Sequence, residues 1–198
     1  MLAHPAYEKS RINRRLWGAL QDLAGVTFHD LYEAYPEFDI DISREQALLT
    51  AADAVVLQHP FFWYSTPALV KQWEDLVLEH GWAYGGGGNA LQGKSFLSVI
   101  TTGGGQDAYH AEGHNRFSIR ELLAPIEQTV RLCGMRYLSP FVVFGSHGMS
   151  DDAIARHEGD YRRVIEALRD GTLDLDAADQ RPHLNDADVG SLIAVSET

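Results

Sequence analysis

Apolar positions along the chain fall into two alternating patterns, continuous runs and stretches in which apolar residues recur every three or four positions. The continuous runs are typical of strands buried in a parallel sheet, and the clearest are AVVLQ (54–58), SFLSVIT (95–101) and RYLSPFVVF (136–144). MLA (1–3) and VTFHD (26–30) predict two further strands near the N-terminus. The recurring pattern predicts amphipathic helices between the strands.

The predicted helices begin at residues that commonly stand at a helix N-terminus. In chain order these residues are Ser10, Ser43, Thr66, Ser118 and Asp151. Gln46 and Glu121, each three residues after a serine, complete two predicted capping boxes. We expect the first helix to stop near Gly25 and Pro125 to kink the fourth. LYEAYPEFDIDI (31–42) has no helical period and is predicted to be an extended loop.

Five strands that alternate with about five helices predict an α/β fold, a three-layer sandwich around a five-stranded parallel sheet with strand order 2-1-3-4-5. This domain is predicted to span residues 1–168. Residues 169–198 form an acidic tail, with seven acidic residues and one arginine between Asp170 and Thr198. Because its apolar residues are scattered, the tail is predicted to be disordered or to wrap around a partner.

The segment GNALQGKS (88–95) matches the phosphate-binding pattern G-x-x-x-x-G-K-[ST]. A P-loop binds phosphate because its glycines connect a strand to the N-terminus of a helix. Here a helix precedes the segment and the strand 95–101 follows it, so the order is reversed. We therefore expect Lys94 to lie at the edge of the sheet opposite the ligand, and we expect no ATP hydrolysis.

Ligands of doubly wound sheets bind beyond the carboxyl ends of the strands, where three loops lie here: His4–Ser10, His59–Ser65 and Thr101–Arg116. After the first loop, N–H groups at the start of a helix can hold a phosphate. The second contains four consecutive aromatic residues, Phe61 to Tyr64, which either pack beneath neighbouring loops or border a flat ligand or a partner subunit. The glycines of TTGG (101–104) let the backbone approach a ligand closely. Together the loops predict a site for a flat, phosphate-bearing group such as flavin mononucleotide (FMN).

Composition and motif content narrow the class of function. The net charge of −12 argues against nucleic acid or an anionic membrane surface as the main partner. Asp107, His110 and His114 share a loop without the spacing of common zinc motifs, so no metal site is predicted. No G-x-S-x-G motif is present, and Cys133 is predicted to be a buried thiol. One cysteine and no long apolar run favour a cytoplasmic protein.

Seven stretches spread over residues 1 to about 168 carry a specific resemblance. They are AHP (3–5), SRIN (10–13), DLYEAYPEFDIDI (30–42), QHPFFWYSTPALVKQWEDLVLEHGWAYG (58–85), ALQGK (90–94), TTGG (101–104) and CGM (133–135). Together they resemble the flavodoxin-like NAD(P)H:quinone oxidoreductases, in particular the bacterial ancillary proteins of the glutathione-gated potassium efflux system. ALQGK contains the lysine of the P-loop match, which supports the non-P-loop interpretation.

The resemblance implies a flavodoxin-like sandwich, an FMN cofactor with FAD as the alternative, NAD(P)H as co-substrate, a quinone as acceptor, and a homodimer with its active site near the interface. The residues it implies for the flavin phosphate are His4, Ser10, Arg11, Ile12 and Asn13. Those it implies beside the isoalloxazine ring are Phe61, Phe62, Trp63, Tyr64, Thr101, Thr102, Gly103 and Gly104. Tyr109 matches a tyrosine that works with a histidine near the flavin in mammalian-type relatives. His114 falls about one position from that histidine, and Asn115 stands at the equivalent place.

The activity implied is a two-electron, ping-pong transfer of hydride from NAD(P)H through the flavin to a quinone, with Tyr109 and His114 as the candidate catalytic residues. One alternative is a regulatory subunit that docks on the cytosolic face of a potassium efflux antiporter, with or without reductase activity. Such a partner would place the protein peripherally at the inner face of the membrane. Another alternative is a one-electron carrier like flavodoxin itself, which the bulky aromatic loop disfavours.

Overall fold

The computed structural model describes residues 1–194 of the chain. Within that range, three strands form one parallel sheet in the order β1-β2-β3. The strands are β1 (Ala54–Pro60), β2 (Ser95–Thr101) and β3 (Arg136–Val143). The helices are α1 (Arg11–Gly18), α2 (Leu31–Ala34), α3 (Ile42–Ala51), α4 (Ala68–Val77), α5 (Ile119–Leu122), α6 (Ala124–Leu132), α7 (Asp151–Arg169) and α8 (Leu175–Asp179).

Leu2 extends the sheet beyond β1 as a single bridge. It pairs in parallel with Gln58 on one side and with Asp30 on the other. The neighbours therefore follow the predicted order 2-1-3-4-5, but the predicted count of five strands is not confirmed, because MLA and VTFHD contribute one bridging residue each. Of VTFHD, only its last residue, Asp30, bridges to Leu2. Its carboxylate accepts a hydrogen bond from Tyr32 N and caps α2, so the chain turns into a helix directly after the bridge.

Helices cover both faces of the sheet. On one face, α1 and α7 pack in a core that includes Leu97 of β2 and Phe141 of β3. On the other face, α3, α4 and α6 pack in a core that includes Leu57 of β1 and Ile100 of β2. Both cores are apolar because neighbouring strand residues point to opposite faces and each face is covered by helices. The predicted three-layer sandwich is confirmed.

The structure confirms two of the predicted helix caps and contradicts a third. Ser10 caps α1 by accepting from Asn13 N, and Ser118 forms the predicted capping box with Glu121. The prediction that Ser43 caps α3 is wrong. Asp41 stands at that position, and its carboxylate accepts from Arg44 N at 3.0 Å, which starts the helix two residues earlier.

Three stretches depart from their predicted length or shape. The first helix ends at Gly18, and Leu20 and Leu23 reach the core through turns. The helix after Ser118 is divided into α5 and α6 at Leu123, because Pro125 lacks the N–H that would continue the ladder. The stretch 31–42 is not wholly extended, since it contains α2.

The tail folds back on the domain as far as residue 194. Its buried apolar side chains lie in the same core as α1 and α7, and they are Leu173, Ala178, Leu184, Val189 and Leu192. The expectation of disorder is therefore wrong for residues 170–194. Residues 195–198 lie outside the described part of the chain, and wrapping around a partner stays a prediction.

Lys94 directly precedes β2, at the edge of the sheet opposite the three loops that are predicted to bind a ligand, as expected. Its Nζ donates to the backbone oxygens of Thr50 and Ala52 at distances of 3.1 and 2.5 Å. These carbonyl groups stand at the C-terminus of α3 and have no helical N–H to accept. Lys94 therefore caps a helix instead of holding a phosphate.

Replacing Lys94 with alanine should lower the free energy of unfolding by about 0.5–1.5 kcal/mol, because the end of α3 loses a charged donor. Urea unfolding of this variant measures the loss. Lys94→Met is the control that keeps the aliphatic stem and removes the charge, and it should lose a similar amount. ATPase activity in the unmodified chain that disappears in Lys94→Ala would contradict this assignment.

Among residues 1–194, no helix is both long and apolar enough to cross a membrane.

Candidate functional site

The three predicted loops meet at the carboxyl ends of β1 and β2. Asn13 Nδ2, in α1, donates to Thr101 Oγ1 at the end of β2 at 3.0 Å. Gln58 Nε2, in β1, donates to the backbone oxygen of Asn13 at 2.9 Å. Phe61 N donates to Thr101 O at 2.9 Å. Hydrogen bonds thus join the start of α1 to both strand ends, so the three loops lie together at one edge of the sheet.

The N-terminus of α1 offers backbone donors at this edge. The N–H groups of Arg11 and Ile12 donate no hydrogen bond to any atom of residues 1–194. The side chains of these two residues point elsewhere. Arg11 pairs with Asp151 and donates to Met149 O, and Ile12 is buried in the α1–α7 core. Both predicted phosphate-binding residues can therefore contribute only through the backbone, where the helix dipole also favours an anion.

Asn13 has a different role from the predicted one. Both protons of its amide nitrogen are already donated, to Ser10 Oγ at 3.2 Å and to Thr101 Oγ1 at 3.0 Å. The residue is buried. Asn13 therefore positions the helix N-terminus against β2, and Ser10, which is partly exposed, is left as the hydroxyl at the rim.

His4 is a neutral hydrogen-bond donor at the same corner. Burial lowers its pKa, so the imidazole is uncharged at neutral pH. Nδ1 accepts from Ala6 N at 3.0 Å, which places the remaining proton on Nε2. The ring stands edge-on to Phe62, with centroids 5.8 Å apart, and so connects the loop His4–Ser10 with the aromatic loop.

The aromatic loop is a tight turn held in a strained conformation. Trp63 and Tyr64 have φ angles of 51° and 64°, in the left-handed region that bulky side chains rarely adopt. Ser65 N donates to Phe62 O at 3.1 Å and closes the turn. Trp63 is 93% exposed, while Phe61 beside it is buried. Strain of this kind costs about 1–3 kcal/mol per residue and concentrates at ligand sites.

The glycine segment after β2 presents bare backbone. Thr102 is buried, and its hydroxyl donates to Gly104 O at 2.8 Å. A Cβ on Gly103 would lie 2.8 Å from His147 Nε2, and a Cβ on Gly104 would lie 3.3 Å from the Tyr109 ring. The N–H groups of both glycines have no acceptor within residues 1–194. The segment therefore offers two free donors where a side chain would clash or crowd.

Tyr109 and Asn115 close the site on the side of the third loop. Burial raises the pKa of Tyr109, and its contacts with Thr102 and Asn115 offset that only in part, so the phenol stays protonated. Tyr64 OH donates to Asn115 Oδ1 at 3.1 Å, which brings the aromatic turn and this loop together. His114 is exposed and makes no hydrogen bond within the described range. The structure places Asn115, not His114, beside Tyr109.

Sequence reasoning did not single out three other polar residues here. His59 is fully buried, with Nδ1 2.9 Å from Pro60 O and Nε2 without a partner in residues 1–194. Burial lowers its pKa to about 4. Gln58 Oε1 is also buried and unpaired in that range, and His147 reaches over Gly103. The sequence does contain a signal for His59 and Gln58, because both are polar residues at the end of an otherwise apolar strand.

The side chains and backbone present fit a flavin better than a metal. Free N–H groups at a helix start suit a phosphate. Exposed aromatic faces beside bare glycine backbone suit a planar ring with polar edges. Within residues 1–194, no cluster of three or more histidine, cysteine, aspartate or glutamate side chains is placed to hold a metal ion.

Comparison with known proteins agrees with this geometry. A family model described as "Flavodoxin-like fold" matches residues 1–165. The glutathione-regulated potassium-efflux system ancillary protein KefG of Pectobacterium atrosepticum is 48% identical over 155 residues, which are 78% of this chain and 85% of that protein.

Two solved structures are similar along most of their length. General stress protein 14 of Treponema denticola, in complex with FMN, has a TM-score of 0.80 at 35% identity, covering 84% of this chain and 96% of that one. An NADPH-quinone reductase from P. pentosaceus has a TM-score of 0.76 at 32% identity, covering 82% and 94%. With the match over residues 1–165 and relatives this similar, the chain belongs to the flavodoxin-like fold family.

Proposed function

We propose that the chain is a cytoplasmic NAD(P)H:quinone oxidoreductase that binds FMN and acts as a homodimer. The observation that carries this proposal is the strained aromatic turn 62–65, which Tyr64 and Asn115 connect to Tyr109, the ring that lies over the bare backbone of Gly104. The FMN complex and the quinone reductase among the structural neighbours support the same chemistry. Bound flavin would supply two-electron hydride chemistry.

Different residues of the site would contact different parts of the flavin. The N–H groups of Arg11 and Ile12, with Ser10 Oγ and His4 Nε2, would hold the phosphate. The N–H groups of Gly103 and Gly104 would face the polar edge of the ring and stabilise negative charge that develops there. Tyr109 keeps its proton at neutral pH and can donate a hydrogen bond to the same region. The exposed aromatic side chains of the turn, Phe62, Trp63 and Tyr64, would limit water at the ring face.

We expect Asn115→Ala to reduce quinone turnover about tenfold and His114→Ala to change it by less than about twofold. The reason is contact: Asn115 lies between Tyr64 and Tyr109, whereas His114 faces solvent. An interaction made in the transition state contributes on the order of 1–3 kcal/mol, which corresponds to this size of loss. Steady-state kinetics with NADPH and a benzoquinone measure both variants. A larger loss of turnover in His114→Ala than in Asn115→Ala would instead assign the catalytic role to His114.

The oxidoreductase proposal is tested by anaerobic titration. The flavin-loaded protein should bleach with one equivalent of NADPH or NADH and recover its visible absorption when a quinone is added. Comparing the two nicotinamides gives the preferred donor. A loaded protein that neither nicotinamide reduces would exclude the reductase activity.

A second candidate function rests on the relatives. Curated proteins that are 42–48% identical to the chain carry the name of an ancillary protein of a potassium-efflux system. The chain would then bind the cytosolic part of an antiporter, with or without reductase activity, at the inner face of the membrane. The tail is not a free docking arm, because residues 170–194 pack on the domain. Pull-down with that cytosolic domain tests this role, and loss of binding when Asp174, Asp186 and Asp188 are changed to asparagine would assign it to the acidic surface of the tail.

A further inference from the structure

The C-terminal segment, residues 172–194, runs along the free edge of β3. Within residues 1–194, β3 has a strand neighbour only on its β2 side. On the other side, Leu184 N donates to Pro140 O and Ser139 Oγ donates to Arg181 O, both at 2.8 Å. The segment thus satisfies an edge that would otherwise expose unpaired backbone groups.

Asn185 fixes the segment close to the functional end of β3. Its side-chain amide pairs with both backbone groups of Val142, accepting from N at 2.9 Å and donating to O at 2.8 Å. This is the pattern that a neighbouring strand would make with its own backbone. Val142 is one residue before the end of β3, so the anchor lies at the edge of the sheet where the three loops meet.

His183, two residues before Asn185, connects the C-terminal segment to the candidate site. It is buried, and its ring packs edge-on against Phe144 with centroids 5.3 Å apart. Phe144 in turn packs against Tyr109, with centroids 5.7 Å apart. His183 Nε2 also lies 3.5 Å from Gln106 Nε2, at the start of the short turn that ends at Tyr109. Two routes of direct contact therefore lead from His183 to the turn 106–109.

The surroundings of His183 favour a fixed, uncharged ring. Burial lowers the pKa of His183, and the charge of the neighbouring Asp186 offsets that lowering only in part. Nδ1 lies 3.3 Å from Asn185 Oδ1, and Nε2 lies 3.5 Å from both Gln106 Nε2 and Asp186 Oδ1, so both ring nitrogens have polar neighbours. The ring is held by Asn185, which is itself held by β3.

We propose that His183 is a positioning residue for Tyr109, and that the C-terminal segment is a structural part of the site. The segment lies beyond residues 1–165, the part of the chain that the family model matches. The importance of Tyr109 for turnover rests on the proposed reductase function, but the support of the turn 106–109 by His183 does not. His183 acts through Phe144 and Gln106 and does not itself face the reacting groups.

Hydrogen exchange of the flavin-free full chain tests this support directly. Ala108 N and Tyr109 N donate to Gly105 O and Gln106 O at 3.1 and 3.0 Å, so both amides report on the turn. We expect His183→Ala to speed their exchange at least about tenfold, and His183→Phe, which keeps a ring against Phe144, to restore most of the protection. Leu192→Ala is the matched control, because Leu192 is equally buried in the segment but packs in the α1–α7 core. It should leave both amides unchanged.

Unchanged exchange in His183→Ala, or an equal increase in Leu192→Ala, would overturn the proposal. In the flavin-loaded enzyme, His183→Ala should lower kcat about fivefold or more with little change in the KM for NADPH, and Leu192→Ala should not. Failure of the unmodified chain to bind flavin would reject the proposed function, while the exchange experiment would still decide the role of His183.

Discussion

Replacing Ser10 with aspartate should greatly weaken FMN binding and leave the fold intact. Aspartate caps a helix as well as serine does, so α1 should begin at the same residue. The new carboxylate, however, would lie beside the N–H groups of Arg11 and Ile12, where the phosphate is expected. Two like unit charges about 4 Å apart repel by roughly 4 kcal/mol near a protein surface. We expect at least about 2 kcal/mol of this to remain, which is roughly a 30-fold loss of affinity.

Ser10→Asn is the matched control, because asparagine has the shape of aspartate, caps a helix equally well and carries no charge. Quenching of flavin fluorescence measures the affinity of both variants. Riboflavin has no phosphate and should bind the two variants alike. If Ser10→Asp bound FMN as tightly as Ser10→Asn, the phosphate would not lie at the start of α1.

Of the substitutions predicted to affect stability, removal of the Glu45 carboxylate should lower the free energy of unfolding the most. Glu45 is 1% exposed and accepts from Tyr35 OH at 2.5 Å and from Trp73 Nε1 at 2.8 Å. His29 Nε2 lies 2.8 Å from the same oxygen that Tyr35 contacts. Glu45→Ala would leave buried donors without an acceptor and a cavity between α3 and α4. The expected cost is about 3–5 kcal/mol in the free energy of unfolding.

The same residue gives the stability a dependence on pH. Burial alone would raise the pKa of Glu45, but the adjacent His29 ring and the hydrogen bonds from Tyr35 and Trp73 together outweigh it and lower the pKa. A carboxyl whose pKa is lower in the folded state stabilises at neutral pH, and the contribution is lost as the pH falls through the folded pKa. Urea unfolding should therefore show the gap between the unmodified chain and Glu45→Gln narrowing below about pH 4.5. A gap that is constant from pH 7 to pH 3 would show that Glu45 is not ionised in the folded protein.

The central strands were predictable because their signal is local. The predicted strand SFLSVIT (95–101) has the same first and last residues as β2. The runs AVVLQ and RYLSPFVVF predict the ends of β1 and β3 to within two residues. Continuous apolar runs report burial on both faces, which only the middle of a helix-covered sheet provides. The reversed order of elements around GNALQGKS was likewise sufficient to place Lys94 away from the site.

Other features depend on contacts that no local pattern contains. VTFHD has the composition of a strand, yet only Asp30 bridges to Leu2, and the chain then continues as α2. The tail has few apolar residues, but five of them find one core and Asn185 replaces a strand partner. Asn115 and His114 are adjacent in sequence, and only the fold shows that Asn115 meets Tyr64 and Tyr109. The alternation of strands and helices was sufficient to place the three loops at one edge of the sheet, whereas the direction of each side chain came from the structure.

The most direct test of this account is the flavin content of the purified chain. After incubation with FMN and removal of the excess, we expect about one FMN per chain, released intact on denaturation and identified by its mass. We expect the bound flavin to be reduced by NADPH or NADH and reoxidised by a quinone. A folded chain that retains neither FMN nor FAD would contradict the account at its centre.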